Sequence, residues 1–133
     1  MRASIVPALL LVACASSAGG DATSRLAGTW RVDSIAGAAS FDAAKTEFAL
    51  GADGKVSTTI GCNRMAGAPV VEGERLRFGP LAATRMACDA PLMELESRYA
   101  AALEATRSFR IEGARLRLLD ATGAEQVVLS RVE

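Results

Sequence analysis

From Gly28 onward, apolar residues recur at every second position in short runs, and glycine-bearing turns separate the runs. A period of two is that of a half-buried strand, and turns this short join neighbours running in opposite directions. In GTWRVDSI, residues 28–35, Trp30 and Val32 alternate with charged partners. Phe48 and Leu50 share a face within 46–50, and the turn Gly51-Ala52-Asp53-Gly54 follows. Val56, Thr58, Ile60 and Cys62 then fall on one face of the next strand, which points Cys62 into the core. Asp-Gly between two alternating runs is a hairpin signal. Val70-Val71, the turn at Glu72-Gly73, and Leu76 and Phe78 around Arg77 repeat the unit. Past residue 108 it returns, with Phe109 and Ile111, Leu116 and Leu118, then Val127 and Leu129, separated by turns at Glu112-Gly113 and Thr122-Gly123. Arg115 and Arg117 fit the solvent face of such a strand.

One segment breaks the alternation. From Pro91, residues Leu92, Leu95, Tyr99, Leu103 and Thr106 carry the spacing of one helix face. Pro91 suits the first turn, Asp89 is placed to cap it, and Glu94 and Arg98 stand four apart in the favourable order. Glu94 and Glu96, two apart, face different directions and read as solvated surface. The order is three or four strands, one helix, then two or three strands. That predicts an α+β fold, a curled, open-barrel-like antiparallel sheet with one amphipathic helix inserted between strands.

At 133 residues the chain has room for one domain. Lys+Arg and Asp+Glu balance at 15 each, which argues against nucleic acid, since phosphate binding needs a clustered positive excess. The first residues stand apart from the fold. MRASIVPALLLVAC has Arg2 and then an uncharged apolar run from Ile5 to Ala13. The run is shorter than the roughly 20 residues a spanning helix needs and reads as a secretory signal. Leu11-Val12-Ala13-Cys14 resembles the bacterial lipobox. The resemblance implies cleavage before Cys14 and its acylation with two or three chains, enough for stable membrane anchoring. Residues 1–13 are thus expected to be a lipoprotein signal peptide, 14–25 a lipidated N-terminus and flexible tether, and 26–133 the folded domain. Ala15 and Ser16, with no Asp after the cysteine, favour the outer membrane, the domain facing the periplasm.

With Cys14 taken by lipid, Cys62 and Cys88 remain as an even pair in an oxidising compartment, where a disulfide is the default. Closing a loop of about 27 residues is worth roughly 3–4 kcal/mol on the chain-entropy model. The competing reading is a catalytic thiolate, which needs a base or cation beside it. The chain has no histidine. Cys-His and Ser-His-Asp catalysis are therefore excluded, as is any zinc site built on imidazole. The wide spacing of the cysteines, without CxxC, argues against a cysteine metal or redox motif. No catalytic residue, cofactor or metal is expected.

Placed in this order, the residues resemble a META domain, of the heat-inducible HslJ-type bacterial lipoproteins, over about Leu26 to Glu133. Gly28-Thr29-Trp30, Gly61-Cys62-Asn63-Arg64 with Gly67, and Phe78-Gly79-Pro80-Leu81 carry the resemblance. Thr84-Arg85-Met86-Ala87-Cys88 and Met93-Glu94 complete it. Members often have an aromatic near Gly67, where this chain has Met65 and Ala68. The resemblance implies a small α+β domain with no known enzymatic reaction, associated with stress and novobiocin tolerance. Partners would be the membrane, through acylated Cys14, and an envelope protein or lipid ligand. Secretion pilotins, whose fold is related, imply a second role, a groove for an acyl chain or an apolar peptide. The opening GTW also resembles lipocalins, but these place their helix after eight strands. Asn63, Arg64, Arg85 and Trp30 form the candidate binding surface. Asn63 is read as a turn residue, the two arginines as an anion site or ordinary surface, and Trp30 as core or a stacking platform.

Overall fold

The computed structural model describes residues 3–4, 7–8 and 18–132. Cys14, the expected lipidation site, and most of the expected signal peptide lie outside the described residues. The elements run α1 (Ala18–Leu26), β1 (Gly28–Ile35), β2 (Glu47–Leu50), β3 (Val56–Thr59), β4 (Arg64–Gly67), β5 (Val70–Glu72), β6 (Arg75–Arg77) and β7 (Ala82–Ala83). Then come α2 (Ala90–Ala105), β8 (Ser108–Glu112), β9 (Arg115–Leu119) and β10 (Glu125–Arg131). The strands form one ten-stranded sheet in the order β5-β6-β8-β9-β10-β1-β2-β3-β4-β7. Every pairing is antiparallel. This is the expected fold class, with more strands ahead of the helix than the alternation predicts.

The sheet curls because of its connectivity. β6 lies next to one edge and β7 forms the other, yet only residues 78–81 join them. Such a linker spans at most about 17 Å, so the two ends must approach. Phe78 on that linker packs edge-on against Phe48 of β2, with ring centroids 5.9 Å apart. Inside the curl lie Trp30, Val32, Phe48, Leu50, Leu116, Leu118 and Leu129, all buried. Arg115 and Arg117 face outward, and Arg117 pairs with Glu125 and, at 3.8 Å, with Glu112.

α2 closes the core against β10 and β1. Its Tyr99, Ala102 and Leu103 are buried, while Leu92 and Leu95 are only partly covered. Asp89 occupies the N-cap position with Pro91 in the first turn, but its side chain makes no capping bond. The expected Glu94–Arg98 pair is present at 3.2 Å. Thr58 Oγ1 donates to the Glu47 carbonyl at 2.8 Å and lies 2.5 Å from the Tyr99 hydroxyl. One hydroxyl has one proton, so Tyr99 is the donor of that second bond. Burial pushes the Tyr99 phenol far above its ordinary range.

The stretch expected to be tether through residue 25 is helical from Ala18. Ala22 and Leu26 dock into the core, and Trp30 Nε1 donates to the Leu26 carbonyl at 2.9 Å. Arg131 completes this joint. Its guanidinium lies 4.1 Å from the centre of the Trp30 ring and donates to the carbonyls of Ala27 and Arg25. A cation at a helix C-terminus opposes the dipole's negative end. Gly28 makes room for it: its φ is +128°, and a Cβ there would sit 2.9 Å from Arg131 Nη1.

Between β1 and β2, residues 36–46 peel away from the sheet. On the β10 side of β1 a bulge lies between Val32 and Ser34. On the other side, past the last β1–β2 pair, the Val32 N–H donates to buried Thr46 Oγ1 at 2.8 Å, and Thr46 donates to the Ala43 carbonyl at 2.7 Å. Asp42 caps the short 3-10 turn Ala43–Lys45 by accepting from Ala44 N–H. A cleft lies between this loop and α2.

Candidate functional site

Two features meet beside the first turns of α2. The first is a crosslinked junction. β3 ends at Thr59 because Gly61, with φ +130°, leaves the extended conformation. The alternation that aimed Cys62 into the core stops there, and Cys62 is half-buried instead. It forms a disulfide with Cys88, the Cα atoms 6.4 Å apart. The pairing expected from cysteine arithmetic is thus present.

Asn63 organises the same junction. Its backbone N–H donates to Glu96 Oε1 at 2.5 Å and its Nδ2 to Glu96 Oε2 at 2.9 Å. Nδ2 also donates to the Met86 carbonyl at 3.2 Å. Its Oδ1 accepts from Met86 N–H at 2.7 Å and from Thr84 Oγ1 at 3.0 Å. One side chain thereby ties the β3–β4 turn to the loop before α2 and to α2 itself. The Asn63 side chain bonds to partners 21 to 33 positions away, not within a local turn. Glu96, read as solvated surface, is the half-buried acceptor at its centre. It follows Leu92 by four residues and precedes Tyr99 by three, which sets it on the border of the apolar stripe. That spacing was the available signal.

The remaining sequence candidates separate. Arg64 on β4 is exposed and is held by Glu47 at 3.3 Å and Ser57 at 2.8 Å. Arg85 is exposed and has no ion pair among the described residues. Trp30 is fully buried beneath Arg131, which removes it from any binding surface.

The second feature is the cleft between residues 37–45 and the first half of α2, about 610 Å³ in volume. Its apolar lining comes from Phe41, Ile60, Leu92 and Leu95. Lys45 and Arg98 oppose Asp42, Asp89 and Glu94 around it, so its charge is mixed. Gly61 also lines it: a Cβ there would lie 3.7 Å from Leu92 and 3.8 Å from the Lys45 Cβ. The disulfide junction therefore borders the cleft. A space of this size falls in the range of small-molecule sites, where apolar contact supplies affinity and a few polar groups set orientation. Sequence reading missed it because one wall is an irregular loop held by Thr46, which no periodicity reveals.

The META domain family model matches residues 24–133. The chain belongs to the META domain family. Three solved structures share its fold. An NMR structure of a protein from Burkholderia xenovorans is 24% identical, with a TM-score of 0.62, covering 98% of this chain and 99% of that one. A second NMR structure is 22% identical with a TM-score of 0.62, covering 78% and 88%. A crystal structure of a DUF4847 family protein from Bacteroides vulgatus ATCC 8482 is 13% identical, with a TM-score of 0.58, covering 78% and 92%. At these identities the likeness is one of fold. No curated protein matches the chain.

Proposed function

We propose that this META domain is a non-catalytic component of the bacterial envelope, held to the outer membrane by acylated Cys14 and supporting membrane integrity under heat or antibiotic stress. The observation that carries the reading is the crosslinked junction. The Cys62–Cys88 bond suits an exported domain, and it ties up both cysteines outside the lipobox-like segment. With no histidine in the chain, nucleophilic catalysis has neither a free thiol in the domain nor an imidazole base. The test is genetic. A strain lacking the gene should become sensitive to novobiocin and heat, and the wild-type chain should restore tolerance while Cys14→Ser should not. Full rescue by Cys14→Ser would sink the anchored reading.

The cleft favours a second, compatible reading, a pilotin-like binding module for an acyl chain or an apolar peptide of a partner. Its lining of Phe41, Ile60, Leu92 and Leu95 supports that ligand class. Leu92 and Leu95 are the part of the α2 stripe that the core leaves only partly covered. Leu95→Arg should abolish binding with little loss of stability, since Leu95 is already partly exposed. Unchanged binding by that variant would refute the cleft as the site.

A further inference from the structure

We infer that reduction converts the Cys62–Cys88 junction into a metal site of two thiolates and one carboxylate, selective for Zn²⁺ or an ion of similar softness. The ligand atoms are already together: the two sulfurs and a Glu96 carboxylate oxygen all lie within 4.8 Å of one another. Around a tetrahedral ion with Zn–S bonds of about 2.3 Å, two sulfurs stand roughly 3.8 Å apart. Side-chain rotation across a Cα separation of 6.4 Å is enough to reach that spacing from the disulfide. The linear spacing of the cysteines argued against a metal motif; Glu96, brought in by the fold, is the ligand that spacing does not show.

The surroundings are those of a ligand shell. Asn63 fixes the Glu96 carboxylate through its N–H at 2.5 Å and Nδ2 at 2.9 Å. Each carboxylate oxygen keeps a further lone pair for an ion. Nδ2 also lies 3.8 Å from Cys88 Sγ, a donor placed to favour a thiolate there. Outer-shell bonds of this kind orient ligands and tune affinity. The Met86 carbonyl oxygen, 3.6 Å from Cys88 Sγ, or a water supplies a fourth ligand. All three ligand residues are half-buried, so reductant and ion can reach them. They belong to the β3–β4 turn, the loop before α2 and α2, so a bound ion crosslinks the segments the disulfide joins and α2 as well.

The chemistry balances with a dithiol as reductant. Two electrons and two protons pass from the dithiol to the protein disulfide, giving two protein thiols and a cyclic disulfide. Zn²⁺ then displaces both thiol protons to solvent, forming two Zn–S bonds.

The experiment uses the full chain, reduced with excess dithiothreitol, desalted without oxygen, and titrated with Zn²⁺ and Co²⁺. One ion per chain should bind to the reduced protein and none to the oxidised protein. Zn²⁺ binding should release two protons, Co²⁺ should give thiolate charge-transfer absorption, and Zn²⁺ should raise the melting temperature. Glu96→Gln should weaken binding at least about tenfold while leaving the oxidised fold intact. No binding by reduced protein, equal binding by oxidised protein, or unchanged affinity in Glu96→Gln would each overturn the inference. Should the reduced chain lose its fold, circular dichroism decides: Zn²⁺ must restore the native spectrum, and failure to do so overturns it too.

Discussion

Asn63→Ala should destabilise the oxidised domain by about 2–3 kcal/mol, although it fills no core space. Beside a long contact with Cys88 Sγ, the side chain makes four bonds to nitrogen and oxygen partners: to the Met86 carbonyl, to Glu96 Oε2, and from Met86 N–H and Thr84 Oγ1. At about 0.5–1.5 kcal/mol net for each, four sum to about 2–6 kcal/mol. Several of the partners are exposed, so water recovers part of the loss, and the lower end applies. Urea unfolding gives the value directly, with an unchanged m-value showing that the two states remain comparable. Asn63→Asp separates the donor from the acceptor role. It keeps the acceptor, loses the Nδ2 bonds and sets a second carboxylate against Glu96. Like charges raise the folded carboxylate pKa values, so Asn63→Asp should be worst near neutral pH and recover as pH falls through the carboxylate range. A cost below about 0.5 kcal/mol for Asn63→Ala, or an Asn63→Asp domain as stable as wild type at pH 7, would show that the junction does not depend on this residue.

Other outcomes follow from particular contacts. Cys62→Ser with Cys88→Ser should lower stability by up to about 3–4 kcal/mol, seen as an earlier denaturation midpoint, because a loop spanning 26 residues is released. Tyr99 is neutral and fully buried, and its folded pKa is raised above the unfolded value near 10, so the folded state holds the proton more tightly. Stability should be intact below pH 10 and fall by up to about 1.4 kcal/mol per pH unit above it. Tyr99→Phe should remove that alkaline slope at a cost near 1 kcal/mol at neutral pH. Gly28→Ala should cost about 1–3 kcal/mol in thermal or urea unfolding, because a positive φ and a contact with Arg131 both oppose a methyl group. Pairing it with Arg131→Met should relieve the steric part only, which a double-mutant cycle measures.

Much of this architecture is legible in the order of the residues alone. The alternation around Trp30, Phe48, Leu116 and Leu129, and the stripe from Leu92 to Thr106, specify faces of strands and of one helix, because burial on one side imposes those periods. β7 escapes because two alanines carry no pattern. α1 escapes because AGGDATSRL contains two glycines and, among its described side chains, buries Ala22 and Leu26 without a repeating stripe. Its anchor is Arg131, which reaches the Arg25 carbonyl from 106 residues away. The site divides in the same way. Counting cysteines suffices for the Cys62–Cys88 pairing once Cys14 is set aside. The bond between Asn63 and Glu96 spans 33 positions and leaves no local trace. Trp30 reads as core, and its full burial beneath Arg131 excludes the stacking role.

The most direct test of the proposed binding role is native mass spectrometry of the chain carrying Cys14→Ser, exported to a periplasm and recovered without detergent, beside the same chain with Leu95→Arg. The expected species is an oxidised domain, two mass units below its reduced form, carrying an added apolar mass that leaves on denaturation and is missing from the variant. Free thiols at Cys62 and Cys88, or a mass retained equally by Leu95→Arg, would contradict that role.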